Sequence, residues 1–271
     1  MTVPAGLKPG DQYRLVFVTS TTTEAASSDI GYYNSFVSNA ASLEPLLQTL
    51  GTTWTALAST STVAANDNTN TNPMSAGLPI YGLAGQLIAT SNSDLWDGAI
   101  AAPILDNEHG TPVPSGFNEV WTGTGATGKP DEPDDPLGTP TPAWGDSTTS
   151  TINWVDTGGY YESGGTHTLY AISGPLTVVS GDANQDGLAN AQDIAVVASE
   201  WLKSGTNLPG DVNGDGEVNS ADLAVISANW LQNAGNAAAS ASPMVVAAVP
   251  EPSTLALAAL SSLALLALRR S

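Results

Sequence analysis

Cysteine is absent from the 271-residue chain, and lysine and arginine together number only 6. Without cysteine there is no disulfide framework, no cysteine-ligated zinc and no thiol nucleophile. Because the 6 basic residues face 26 acidic ones, the formal charge is -20, so nucleic acid and anionic membranes are poor partners and divalent cations are good ones. Hydrophobic residues make up 41% of the chain, which suffices for a packed core, and the length suits one sizeable domain and a small one.

One stretch of sequence occurs twice, as GDANQDGLANAQDIAVVASEWL from residue 181 and as GDVNGDGEVNSADLAVISANWL from residue 210. Asp182 and Asp211 begin equivalent loops, so the period is 211 − 182 = 29 residues. The pattern predicts a loop and one helix in each copy, with an apolar face at helical spacing. We expect the two faces to bury each other, with these residues at the contact: Ile194, Val197, Trp201, Leu223, Ile226 and Trp230.

Side chains with an oxygen atom recur in each loop at positions 1, 3, 5, 9 and 12, which with the backbone carbonyl at position 7 is the ligand spacing of an EF-hand calcium loop. Gly187 and Gly216 stand at position 6, where the chain must turn sharply. Magnesium fits less well because it demands a rigid octahedron, and the alternative of metal-free Asx-rich turns is disfavoured by the repetition in one register. The sequence therefore predicts two Ca²⁺ sites, with ligands Asp182, Asn184, Asp186, the Leu188 carbonyl, Asn190 and Asp193, and Asp211, Asn213, Asp215, the Glu217 carbonyl, Asn219 and Asp222.

The repeat departs from a sensor EF-hand in having Asp at position 12 and no amphipathic helix before either loop. A duplicated loop with an exiting helix only, over residues 181–231, resembles the dockerin domain of cellulosome-type assemblies. The resemblance implies two halves packed antiparallel with near two-fold symmetry and a cohesin-type partner module. It also implies partner contacts at loop positions 10 and 11, where many dockerins carry Ser-Thr; here these are Ala191, Gln192, Ser220 and Ala221.

The C-terminal end carries an apolar stretch, Leu255 to Leu268, closed by two arginines. At about 1.5 Å rise per residue, its roughly 16 apolar or small residues form a helix shorter than a hydrocarbon core of about 30 Å. The two arginines favour the cytoplasmic side of a membrane. A short permanent anchor and a sorting signal are both compatible with this pattern.

The same end closely resembles the PEP-CTERM sorting signal of exopolysaccharide-producing bacteria, whose motif is matched by Val249, Pro250, Glu251 and Pro252. The resemblance implies an exported protein of the cell surface or extracellular matrix. It also implies that the tail enters the membrane transiently and is processed by a protease of the exosortase type. No secretion signal follows Met1, so we expect the start to be truncated or misassigned.

Residues 1–179 are predicted to form a loop-rich antiparallel β domain with one or two helices, which makes the fold class α+β. YRLVFVTS, residues 13–20, is a predicted strand, and residues 27–50 predict a helical region that is capped at Ser28 or Asp29, broken at Pro45 and stopped at Gly51. Further short strands are predicted in these stretches: TWTALASTST, PIYGLAGQLIA, DLWDGAI, EVWTGTG, INWVDTG and TLYAISGPLTVV.

Four stretches of this unit, YRLVFVTS, DLWDG, VWTGT and LYAISGPLTV, resemble an uncharacterised extracellular domain found ahead of such tails. A weaker similarity reaches the C-type-lectin-like and endostatin-like folds. The similarity implies a fold rather than an activity. No Ser-His-Asp order, Walker loop or zinc helix motif is present.

Few residues of the first unit suggest catalysis. Glu108 and His109 could bind metal or transfer protons, but such a pair is typical of a solvated turn, and we expect His167 to be solvated as well. Asp94 and Asp97 could form a glycosidase pair, although we favour a buried Trp96 between Asp-capped turns. Four tryptophans could stack on sugars, although large aromatic residues more often belong to cores: Trp54, Trp121, Trp144 and Trp154.

We interpret the chain as an exported surface or matrix protein rather than an enzyme. It would comprise an adhesion or carbohydrate-binding domain (1–179), a calcium-dependent dockerin (180–232), a linker (233–248) and a sorting tail with an apolar helix (249–271). Its expected partners are a cohesin-type module, a glycan or exopolysaccharide and the sorting protease. The alternatives are a polysaccharide-degrading enzyme that its dockerin recruits to a complex, and a purely structural extracellular scaffold.

Overall fold

The computed structural model describes residues 3–235, apart from residues 115, 134, 160 and 207. Residues 1–240 belong to one compact unit. The predicted sorting motif, the apolar tail helix and most of the linker lie outside the described residues. Within the part of the chain that the structure describes, no helix is long and apolar enough to cross a bilayer. The division near residue 180 stays a prediction.

A six-stranded sheet lies at the centre of the N-terminal part. Its strands are β1 (Gln12–Val18), β3 (Trp54–Ala56), β4 (Ile80–Gly82), β5 (Leu87–Ala89), β9 (Tyr170–Ser173) and β10 (Leu176–Thr177). Their order is β3-β9-β1-β4-β5, with β10 also paired to β1. β1 pairs antiparallel with β9 and β10 but parallel with β4. The prediction of an antiparallel sheet is therefore wrong at β4. A parallel pair needs a long crossover, which the intervening helices and β3 supply.

The core lies on both faces of β1, which explains why its sequence is apolar without a break from Leu15 to Val18, after the charged Arg14. Tyr13, Leu15 and Phe17 belong to one buried cluster, and Val16 and Val18 belong to another. The first cluster also contains the buried face of α1 (Ile30–Ser42). A second helix, α2 (Pro45–Thr49), follows α1 in the chain. Strands buried on both faces consist of nearly continuous hydrophobic runs rather than alternating ones.

The predicted ends of these two helices are confirmed. Asp29 is the N-cap of α1 and accepts the Gly31 N–H at 2.9 Å. Pro45 stands in the first turn of α2, where its missing N–H costs nothing. Gly51 follows with φ +62°, a conformation that favours glycine.

Two predicted strands are instead helical turns. DLWDGAI begins in α4 (Asn92–Leu95), because Ser91 caps it by accepting the Asp94 N–H at 3.2 Å. INWVDTG begins in a 3₁₀ helix (Ile152–Trp154) that places Trp154 in the core against Trp96, with ring centroids 5.9 Å apart. The remaining elements are α3 (Ala65–Asn68) and two ladders, β2 (Thr23–Glu24) with β8 (Thr166–His167) and β6 (Glu119–Trp121) with β7 (Trp144–Asp146).

The repeat forms two short helices, α5 (Ala191–Ser199) and α6 (Ser220–Ala228), around a small core of Val197, Val218 and Ile226. The predicted mutual burial is wrong for three of the six residues: Ile194 is 39% exposed, and Trp201 and Trp230 are each 43% exposed. The helices end before both tryptophans, which lie in turns where the next residue has φ +63° or +61°. The helical spacing therefore does not continue as far as the tryptophans.

Candidate functional site

The first repeat loop is held by hydrogen bonds from its own backbone to the side chain that opens it. The Asp182 carboxylate accepts the N–H of Asp186 at 3.0 Å and of Gly187 at 2.8 Å. Gly187 has φ +86°, so the turn at position 6 requires glycine. Asn184 accepts the Asp186 N–H at 3.0 Å, which closes the loop further. The backbone thus folds around the side chains that the sequence predicts as ligands.

Asp193, at position 12, ties the two ends of the loop together from a fully buried position. One carboxylate oxygen accepts the Asn184 N–H at 3.1 Å, and the other accepts the Asn190 N–H at 2.7 Å. Asn190 in turn caps α5 by accepting the Gln192 N–H at 2.7 Å, so loop and helix share one capping box. Helix α5 therefore begins where the loop ends.

The second loop repeats this set of hydrogen bonds, with each residue displaced by 211 − 182 = 29 positions. Asp211 accepts the N–H of Asp215 at 3.1 Å and of Gly216 at 2.9 Å. Asp222 is fully buried and accepts the N–H of Asn213 at 3.2 Å and of Asn219 at 2.8 Å. The sequence repeat is thus also a repeat of backbone geometry.

The electrostatics of the first loop favour a cation. Burial raises the pKa of Asp182 to about 7, and the negative charges of Asp193 and Asp186 contribute to the same shift. Among the residues the structure describes, no three His, Asp or Glu side chains converge closely enough to form a metal site by themselves. A carboxylate oxygen that accepts one N–H retains a second lone pair, and the all-oxygen donor set fits calcium. The fit therefore rests on donor chemistry and loop shape.

Equivalent backbone contacts in both directions join the two halves of the repeat. Leu188 forms a β-bridge with Asn233, which follows α6, and Glu217 forms the equivalent bridge with Ser204, which follows α5. The Leu231 N–H donates to the Ala189 carbonyl and the Leu202 N–H donates to the Val218 carbonyl, both at 2.8 Å. Each loop thus pairs with the segment behind the other helix. The four predicted partner-contact residues are all exposed: Ala191, Gln192, Ser220 and Ala221.

Glu108 was expected in a solvated turn, but it is buried with 2% exposure. Its carboxylate accepts the Ser20 N–H at 2.8 Å and the Ser20 hydroxyl, 88 positions away along the chain. His109 is half exposed, with Nδ1 at 3.2 Å from a Glu44 oxygen and Nε2 at 3.7 Å from a Glu108 oxygen. The Glu108 prediction failed because its partner is distant in sequence.

Asp94 and Asp97 both serve local backbone structure. Asp94 accepts the Thr90 N–H at 2.6 Å and the Thr90 hydroxyl at 2.8 Å, and Asp97 accepts the Ala99 N–H at 3.2 Å. Trp96 between them is buried and donates its Nε1–H to the Thr71 hydroxyl at 2.9 Å. Both carboxylates are therefore engaged in turns around a buried ring.

An aromatic cluster at the β6–β7 ladder was missed in the sequence. The rings of Trp144 and Tyr161 lie 4.9 Å apart, and His167 lies 4.9 Å from Tyr161. One carboxylate oxygen of Glu119 accepts a hydrogen bond from the Tyr161 hydroxyl at 2.8 Å, and the other lies 3.1 Å from His167 Nδ1. His167 was expected to be solvated, but its side chain is only 11% exposed. Burial lowers the pKa of His167, and the nearby Glu119 raises it less.

Of the four tryptophans considered for sugar stacking, three are core residues and only Trp144 is partly exposed. Trp121 and Trp154 are fully buried, and Trp54 is 5% exposed. The indole Nε1 of Trp144 is buried without a hydrogen-bond partner.

Two family models match the chain. Residues 209–243 match the dockerin type I domain, and residues 248–271 match the PEP-CTERM protein-sorting motif. The dockerin match covers the second loop and α6, so the first loop is assigned by the internal repeat. No curated protein matches the chain. The matches support a calcium-binding, cohesin-docking module on an exported, surface-associated protein. The chain therefore carries a dockerin type I domain and a PEP-CTERM sorting motif.

Proposed function

We propose that residues 180–232 bind two calcium ions, one in each loop, and thereby present a surface that docks onto a cohesin-type module. The observation that supports this proposal is the hydrogen-bond set shared by the two loops, in which Asp182 and Asp211 fold the turn and Asp193 and Asp222 close it. The tail would be processed after export by a protease of the exosortase type.

The residues of each loop prepare it for a divalent cation. The three predicted ligand carboxylates of each loop carry a formal charge of -3 by count from the sequence, and these charges repel one another without a counter-charge. Calcium supplies that counter-charge, and its binding energy becomes folding energy of the loop. The exposed pairs Ala191–Gln192 and Ser220–Ala221 begin the helices that the loops cap, so an ordered loop fixes their position.

Calorimetry on the full chain tests the ion count, and a panel of cohesin modules tests docking with calcium and with a chelator. We expect two ions and docking that the chelator abolishes. Ser220→Arg places a bulky charge on the proposed surface and should weaken docking. Ser61→Arg, at an exposed position of the N-terminal part, is the matched control. Fewer than two ions, or docking that persists in chelator, would contradict the proposal.

A second function is favoured by the aromatic cluster: the N-terminal part would bind a glycan or exopolysaccharide at Trp144 and Tyr161. Tyr161 is 39% exposed, and its ring lies beside the partly exposed ring of Trp144. Glu119 offers carboxylate oxygens next to these rings. Apolar ring faces with a few fixed polar groups are typical of small-ligand sites.

A glycan array with the intact protein tests this second function. We expect at least one glycan to bind and Tyr161→Ala to abolish binding, whereas Tyr32→Ala, at another exposed tyrosine, should leave binding intact. Absence of binding to glycans and to exopolysaccharide would favour the scaffold alternative. Turnover of a bound polysaccharide would favour the enzyme alternative.

A further inference from the structure

The first calcium loop packs against the N-terminal part of the chain. The Val3 N–H donates to the Gln185 carbonyl at 3.2 Å. Gly187 lies against Leu50, since a Cβ at Gly187 would stand 2.7 Å from Leu50 Cδ2. Ala189 is fully buried in the same apolar cluster as Leu50 and Tyr13. Loop residues thus complete a core that belongs to the N-terminal sheet.

The segment that follows α6 strengthens this junction. The Ala234 N–H donates to the Gly187 carbonyl at 2.9 Å, which attaches the segment to the first loop. The Thr177 N–H in β10 donates to the Ala234 carbonyl at 2.7 Å, and the Gly235 N–H donates to the Leu50 carbonyl at 2.7 Å. The first loop is therefore joined through this segment to both β10 and the end of α2.

The second loop has a different environment, although its own hydrogen bonds are the same. The residue equivalent to Ala189 is Val218, which packs in the small cluster of the repeat. Asn213, Asp215 and Glu217 are exposed. Both loops line a cleft of about 360 Å³, together with residues 3–7 and Pro9. Among the described residues, however, no hydrogen bond joins residues 208–222 to the N-terminal sheet.

We propose that calcium in the first loop stabilises the N-terminal domain, whereas calcium in the second loop stabilises the repeat alone. This inference rests on the proposed calcium binding. The physical reason is that an ion that fixes Asp182 to Asp193 also fixes Gly187 and Ala189, which the N-terminal core contacts. Energetic coupling between two sites is reciprocal, so loosening the core at Leu50 should weaken binding of one ion and leave the other unchanged.

The test uses the full chain with Trp201→Phe and Trp230→Phe. Of the seven tryptophans, the remaining five, Trp54, Trp96, Trp121, Trp144 and Trp154, then report only on the N-terminal part. Thermal unfolding is followed by tryptophan fluorescence, in calcium and in chelator. Asp182→Asn and Asp211→Asn form a matched pair, because each removes one carboxylate that accepts equivalent backbone N–H groups.

Free calcium at about 100 times its dissociation constant stabilises the folded state about 100-fold, a Tm shift of about 5 to 10 °C for a unit of this size. We expect Asp182→Asn to abolish that calcium-dependent shift in the tryptophan signal and Asp211→Asn to preserve it. Equal loss in the two variants, or no shift in either while calorimetry still counts two ions, would overturn the inference alone. If calorimetry counts no ions, the proposed function fails instead.

Discussion

Asp222→Ala should damage the second loop in two separable ways. Its carboxylate accepts two backbone N–H groups, those of Asn213 and Asn219, and each donor left without an acceptor costs about 1 to 3 kcal/mol. The Asn213 end of the loop is exposed, so water replaces part of that loss and we expect a total near 2 kcal/mol in chelator. In calcium at about 100 times the dissociation constant, losing the ion removes a further 2.7 kcal/mol or so. The free energy of unfolding should therefore fall by about 5 kcal/mol in calcium.

Glu217→Ala is the matched control for this experiment. Glu217 stands at position 7, where the backbone carbonyl is the predicted ligand, and its side chain is exposed. The variant removes the same charge from the same loop but keeps every predicted ligand. Calorimetry should count one ion for Asp222→Ala and two for Glu217→Ala, and urea unfolding in calcium and in chelator should separate the two contributions. Equal losses of affinity in the two variants would refute the assignment of Asp222 as a ligand.

Three further outcomes are expected. The lowered pKa of His167 means that the unfolded chain takes up a proton at this histidine more readily than the folded one. The contribution of His167 to stability should therefore be full above pH 6.5 and decline below it. The difference in Tm between the parent chain and His167→Gln across pH 5 to 8 checks this, because the raised pKa of Asp182 affects both proteins alike. Gly123→Ala should lower Tm, because φ is +59° and a Cβ would meet the backbone, whereas Gly164→Ala, with open space around it, should not. Mass spectrometry of the exported protein should find residues 255–270 removed.

The tight turn of each repeat loop could be predicted from the sequence because the side chains that fold it lie within the loop, whereas binding of two calcium ions stays a prediction. Asp182 bonds to residues four and five positions away, and the Asn190 cap bonds two positions away, so spacing alone carries the information. The same holds for α1, whose cap at Asp29 and stop signals are local. Because the same spacing occurs twice in one register, a chance match to the calcium-loop pattern is disfavoured for the pair of loops.

The features that could not be predicted depend on residues far apart in the chain. Glu108 accepts a hydrogen bond from Ser20, and the ring of His167 packs against Trp121 with ring centroids 4.3 Å apart. The parallel pairing of β1 with β4 depends on how the intervening chain crosses the sheet, which no local pattern encodes. Sequence spacing also predicted buried tryptophans after α5 and α6, but turn geometry ended both helices earlier.

The junction behind α6 also determines how the folded chain would carry a mechanical load. Tension applied to the chain beyond residue 235 enters through Ala234 and Gly235, whose hydrogen bonds run to Thr177, Gly187 and Leu50. These bonds must break before the pull reaches α6. Tension from the C-terminal side is therefore transferred into the N-terminal sheet and the first loop, while α6 and the second loop bear load only from whatever is attached to them directly.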